Sequence, residues 1–221
     1  MNMFTFVVSA WSAVLDFVVR PGASRGLRLP FSLVVILLFV GSGSAADEND
    51  GSVDAVIQSA AEIDYPPFSM VDQDGQISGF SVELMRAALA AMDRSVTFRT
   101  GQWSTVRSCL ERGEVAALPL VGRTPEREML LDFAVPYMSL HEAIVVRREE
   151  PGIKEMGDLR DRKVAVMKGD NAEEFLRRED HGLDIRTTAT FAAALKKLAE
   201  GQHDAVVVQR IMTLRMIRQM G

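Results

Sequence analysis

The chain has 221 residues, 48% of them hydrophobic and 25% charged, which is ample for a packed core in one large domain or two small lobes. The net charge of −5 and the pI of about 5.3 argue against a nucleic-acid binder, which carries a basic face. A single cysteine, Cys109, excludes an internal disulfide, and at helical spacing in WSTVRSCLERG it reads as core packing. His141, His181 and His203 have no metal-ligand spacing, so neither zinc nor any cofactor is expected.

The N-terminus is apolar over residues 1–19, interrupted by Asp16, and is followed by Arg20, Arg25 and Arg28. A second apolar run, LPFSLVVILLFV (29–40), precedes GSGSAADEND. Basic residues, a short apolar core and small residues form an export signal, with cleavage expected after Ala46. The second run is short for a membrane span, which needs about 20 residues. The alternative is an uncleaved anchor in the inner membrane.

Downstream, the pattern alternates. VDAVIQSAAEI (53–63) reads as a strand, DYPPF (64–68) as a turn, and VDQDGQISG (71–79) as a hairpin around Asp74-Gly75. FSVELMRAALAAM (80–92) has helical spacing, SVTFR (95–99) is a strand, and WSTVRSCLERG (103–113) is a helix with Ser104 as a candidate N-cap. EVAALPLV (114–121) is a strand that breaks at Gly-Arg-Thr-Pro into a short helix, with Thr124 at its N-cap and Pro125 at its first position. DFAVPYM is an extended crossing and HEAIVVRRE (141–149) a strand. The second unit places strands at 163–167, 183–189 and 203–209, and helices at 171–180, 191–201 and from 210 to the end. Strand–helix alternation argues parallel sheets covered by helices, here in two lobes flanking a cleft: lobe 1 over 53–140 and lobe 2 over 141–221.

DYPPF, DGQISGFSVELMRAAL, WSTVRSCLERGEV, GRTPEREMLLDFAVPYM, GDLRDRKVAVMKGDNAEEFL and LAEGQHDAVVVQ together resemble the family 3 extracellular solute-binding proteins, periplasmic receptors for polar amino acids. The same domain serves as the sensor of bacterial histidine kinases. The resemblance covers roughly residues 55–220 and implies an α/β, two-lobed Venus-flytrap fold that closes on a small ligand. Members of that family continue past the position of Gly221 with a strand recrossing to lobe 1, so a C-terminally truncated clamshell is expected.

Arg127 lies on the first turn of a helix whose leading N–H groups carry the positive end of the dipole. Its planar fork matches a carboxylate, and the resemblance gives it the ligand's α-carboxylate, helped by backbone at the Gly122–Thr124 turn. An ion pair with a neighbouring acid is the plain alternative. By position in the family, Tyr65 and Phe68 would stack on the ligand or pack the core. Trp103 would line the cleft or pack at a helix start. Glu62 would place an acid near the ligand. Gly169, Asp170 and Asn171 open a lobe-2 helix whose N–H groups would meet the ligand, unless Asp170 merely caps it.

Two departures stand out. Gln209 occupies the position where the family has an Asp for the ligand's ammonium, and a neutral amide is a much weaker partner for a cation. GEVAA puts Ala116 where the family has Asp, and polar lobe-1 groups are replaced at Leu120 and Gly122. The expected ligand is therefore a carboxylate without a standard α-amine, or a more apolar molecule. The expected partners are an ABC permease, or a fused kinase or cyclase. An enzyme on this fold, a dehydratase of cyclic acids, would need a buried general acid, with Glu173 or Asp170 as candidates. A third reading is a lobe that binds no small molecule.

Overall fold

The computed structural model describes residues 4–19, 56–150, 152–179 and 182–220, with backbone alone for 4–19 and for Met220. Its strands are β1 (Phe4–Val19), β2 (Ile57–Glu62), β3 (Asp64–Tyr65), β4 (Ser69–Val71), β5 (Ile77–Ser78), β6 (Val96–Gly101), β7 (Ala117–Gly122), β8 (Asp132–Phe133), β9 (Met138–Arg147), β10 (Lys163–Met167), β11 (Asp184–Thr188) and β12 (Ala205–Gln209). Its helices are α1 (Phe80–Ala90), α2 (Trp103–Glu111), α3 (Pro125–Glu128), α4 (Asn171–Glu179), α5 (Phe191–Ala199) and α6 (Arg210–Met220).

The principal sheet runs β11-β10-β12-β9-β1-β7-β2-β6, with β8 paired to β1. Both ends are parallel, as the alternation requires: β10 lies between β11 and β12, and β2 between β6 and β7. The middle is antiparallel. β12 pairs with β9, β9 with β1, and β1 with β7, so β1 bridges the two parallel halves. β3, β4 and β5 form a small separate sheet around the Asp74-Gly75 turn, where Gly75 has φ +77°.

Within the segment expected to be a signal or anchor, Phe4–Val19 is this bridging strand; the second apolar run, 29–40, lies outside the described residues. The expected lobe boundary between 140 and 141 falls inside β9, which runs from one half to the other. Ser104 does not cap α2, which begins one residue earlier with Gln102 at the cap position. Among the described residues no helix is long and apolar enough to cross a membrane.

Among the described residues, three apolar clusters hold the fold. The largest joins α2, β7, α5, β12 and α6 through Leu110, Leu118, Leu195, Val208 and Met212. The second packs α4 on the lobe-2 sheet through Ile144, Val166, Ala172 and Leu176. The third is small, with Phe68 against Leu140. Cys109 is buried within the first cluster, as its helical spacing predicts.

Candidate functional site

The break after β7 builds the site. Gly122 ends the strand, Thr124 takes the extended cap conformation, and its hydroxyl accepts from the Arg127 N–H at 3.3 Å. Pro125 follows at the first helical position. Thr124 and Arg127 are both buried, Arg127 to 2% exposure. A β-carbon on Gly122 would lie 3.4 Å from Asn171, in van der Waals contact, so the start of α4 packs directly on this turn from the other half.

Every side-chain nitrogen of Arg127 is engaged. Nη1 donates to the Gly122 carbonyl at 3.0 Å and Nη2 to the Gly169 carbonyl at 3.0 Å. Nε lies 3.1 Å from Oε1 and 3.0 Å from Oε2 of Glu174. The same carboxylate accepts from the Thr124 hydroxyl at 2.7 Å and from Arg107 Nη1 at 2.9 Å. Glu174 stands on the first turn of α4, so an acid of one half occupies the arginine and hydroxyl of the other. Trp103 adds to this seam: its indole N–H donates to the Gly169 carbonyl at 2.7 Å, and its ring lies 5.1 Å from the Arg127 guanidinium carbon.

Behind the arginine the site is acidic. A cavity of about 30 Å³ is lined by Glu62, Tyr65, Trp103, Gly122, Arg127, Asp170 and Asn171, among others. It adjoins a second, of about 90 Å³, and the two share Glu62, Trp103 and Met167. The smaller has room for about one water, so any larger molecule would need the halves to part. Burial, reinforced by Asp170, pushes Glu62 up to about 8. Burial raises Glu142 to about 8, again with help from Asp170, and Asp170 itself to about 6 against the lowering pull of Arg127. Tyr65, beside these acids, is pushed well above the usual phenol value.

The expected residues now sort themselves. Arg127, Glu62, Tyr65, Trp103, Gly122, Asp170 and Asn171 converge on the smaller cavity. Thr124 joins them through Glu174 and Gly169 through its carbonyl. Phe68 does not: it is 4% exposed, packs on Leu140 and behind the Tyr65 ring at 5.8 Å between centroids, and lies outside the lining. Gln209 does not either. Its Oε1 accepts from the Met212 N–H at 2.7 Å and its Nε2 donates to the His141 carbonyl at 3.5 Å, so the amide serves the start of α6. At the start of α4 the Gly169 N–H donates to Glu173 at 2.7 Å, and the Asn171 and Ala172 N–H groups lie close enough to the Asp170 carboxylate to hold its proton less tightly. Glu173, paired to Arg177 as well, braces the helix start rather than facing the cavity as an acid.

Glu142 and Glu174 are the two residues the sequence reading missed. Glu142 is the lone acid in the apolar run of β9, and that isolation was its signal. Glu174 looks like any first-turn acid, and nothing local distinguishes it.

A mixed sheet with parallel wings, antiparallel bridging strands and a cleft between the halves defines a two-lobed binding-protein fold. The chain belongs to the bacterial extracellular solute-binding proteins, family 3, whose pattern matches residues 57–197. It is 31% identical over 157 residues to the L-cystine-binding protein TcyJ of Escherichia coli (strain K12), covering 70% of this chain and 59% of that one. The chain thus spans somewhat under two thirds of that relative's length. Among solved structures, a histidine kinase sensor domain with similarity to periplasmic binding proteins superposes with a TM-score of 0.70 at 36% identity, covering 75% of this chain and 72% of that one. An ancestral arginine-binding protein bound to arginine superposes with a TM-score of 0.67 at 28% identity, covering 74% of each.

Proposed function

We propose that this chain is a non-catalytic binding domain that closes on a small amino-acid-like carboxylate in the periplasm, with Arg127 as the carboxylate anchor. The observation that carries the reading is the carboxylate already seated there. Glu174 meets Arg127 Nε, the Thr124 hydroxyl and Arg107 together, which is the donor set a free carboxylate needs. The ligand's carboxylate takes Glu174's place. Trp103 and Tyr65 then present ring faces to the rest of the ligand, with Glu62, Asp170 and Asn171 as polar neighbours. The names of the relatives, which bind cystine and arginine, support an amino-acid ligand.

Closure couples to output because the site draws on both halves: Arg127, Thr124 and Trp103 from one, Gly169 to Glu174 from the other. A ligand shifts the open–closed balance only by its differential affinity for the two states. In transport the closed form is what an ABC permease receives. The likeness to a histidine kinase sensor domain supports a second reading, in which closure drives a fused signalling module.

Calorimetric titration of the chain with the common L-amino acids tests the assignment. One class is expected to bind, and Arg127→Ala is expected to weaken it by about 30-fold or more, as removal of one member of a buried charge pair does. Unchanged affinity in that variant would remove Arg127 from the site.

A further inference from the structure

Glu142 is 1% exposed, and its Oε2 has no hydrogen-bond partner among the described residues. Its other oxygen accepts from Asn171 Nδ2 at 3.2 Å, and Asn171 lines the cavity. On β9 it shares a sheet face with Leu140 and Ile144, each a member of an apolar cluster. A carboxyl in such a place is costly when ionised and unpaired. Asp170, which also lines the cavity, has a second orphaned oxygen, Oδ2. Arg127 is the one cation among the residues lining this cavity, and its donors are taken by Glu174 and two carbonyls. Among the described residues, the acids at the back of the cleft therefore have no cation of their own.

The sheet register adds the second half of the argument. Gln209 pairs directly with Glu142 across β12 and β9. The neutral amide and the buried acid are cross-strand neighbours, and the amide is committed to backbone.

We propose that Glu142, set behind Asn171 and beside Asp170, determines specificity by receiving a cationic group of the ligand, its α-ammonium or a side-chain guanidinium, a role that Gln209 across the strand pair cannot fill. The proposal rests on the carboxylate-binding reading of Arg127. It reverses the expectation, drawn from Gln209 and from the polar groups lost at Ala116, Leu120 and Gly122, of a ligand without a standard α-amine or of a more apolar one. The cation enters as an ion and no covalent bond changes; any proton on the carboxyl leaves to solvent.

The test uses the full chain and three probes in calorimetric titration: L-arginine, 5-guanidinopentanoate, which lacks the α-ammonium, and L-citrulline, which replaces the guanidinium with a neutral urea. Wild type should prefer L-arginine over one of the other two by about tenfold or more, the worth of a charge-assisted contact in a buried site. Glu142→Gln keeps the shape and the acceptor for Asn171 and should erase that preference. Loss of the preference over 5-guanidinopentanoate identifies the ammonium, and loss of the preference over L-citrulline the guanidinium. A preference that persists in Glu142→Gln, that is absent in wild type, or that cannot arise because no probe binds overturns the proposal. Glu142→Asp, which keeps the charge but shortens the reach, should retain part of the preference and serves if the glutamine variant does not fold. Arg127→Ala separates the two readings. If it abolishes binding while Glu142→Gln changes no preference, the carboxylate anchor stands and the cation seat falls. If Arg127→Ala leaves affinity intact while Glu142→Gln erases the preference, the reverse holds.

Discussion

The front and back of the cleft treat buried charge in opposite ways. At the front, Arg127 is almost wholly buried and fully partnered, by a carboxylate and two carbonyls. At the back, Glu142 and Asp170 are also buried but keep an oxygen each without a partner among the described residues, and their protons are held more tightly than usual. A guanidinium stays charged under all ordinary conditions, so the fold must supply its counter-ion. A carboxyl can instead stay protonated until something positive arrives. The front of the cleft is a pair already made, and the back is half of one.

The sharpest way to break this comparison is to remove one charge from each end. Arg127→Ala leaves Glu174 with Arg107 and the Thr124 hydroxyl but takes the charged donor from the Gly122 carbonyl, and should lower stability by about 2–3 kcal/mol, the usual worth of buried hydrogen bonds to a charged group. Glu142→Gln removes a group that is protonated near neutrality and should cost less than about 1 kcal/mol at pH 7. Chemical denaturation of both variants reads the difference, and equal losses would mean that Glu142 is also paired.

Next in size is Glu174→Gln. On the proposed reading it removes the internal carboxylate that a ligand displaces, so affinity for a carboxylate ligand should rise several-fold. A fall in affinity would mean that Glu174 holds Arg127 in place rather than competing for it.

A smaller effect is expected from pH. Glu62 and Glu142, raised to about 8, and Asp170, raised to about 6, keep protons in the folded state that the unfolded chain has released. Stability should therefore fall as pH rises from about 5 to about 8. The groups facing them set the size: Arg127 opposes the shifts of Glu62 and Asp170, Asp64 adds to that of Glu62, and Glu174 to that of Asp170. The exposed carboxylates held low, Glu114, Glu126 and Asp158, finish titrating below this window. His203, lowered by burial from 6.5, works in the other direction, as one group against three. Thermal melts at pH 5 and pH 8 should show the decline, with a shallower slope in Glu142→Gln; a melting point that climbs across the window would contradict the raised values.

The smallest effect is at Gln209. Because its amide serves backbone at α6, Gln209→Asp should alter the preference for amine-bearing ligands by less than about twofold. A large gain would return the ammonium contact to the position the family resemblance assigns it.

These residues also show what the sequence could carry. The strands and helices of both wings follow from apolar periodicity, and the arginine site from one punctuated stretch, Gly-Arg-Thr-Pro, whose turn, cap and first-turn arginine are all local. Glu142 and Glu174 act through partners 29 and 50 positions away. Their roles depend on which face of β9 turns inward and on how α4 meets α3, and no local pattern encodes either. Phe68 and Gln209, placed by position in the chain, lie outside the cavity lining for the same reason, since each is engaged by neighbours that no local pattern encodes. Phe4–Val19 is a third case: a long apolar stretch reads the same whether it leads a chain or lies between two strands.

The indole of Trp103 is tied by its N–H to a carbonyl on the opposite wall and lies close to a guanidinium. Parting of the walls breaks that bond and wets the ring. The chain has only one other tryptophan, Trp11. A Trp11→Phe background would leave a single tryptophan, at the seam, and its selectively excited emission would red-shift on opening and return on closure, making an optical clock for the cleft that needs no attached label.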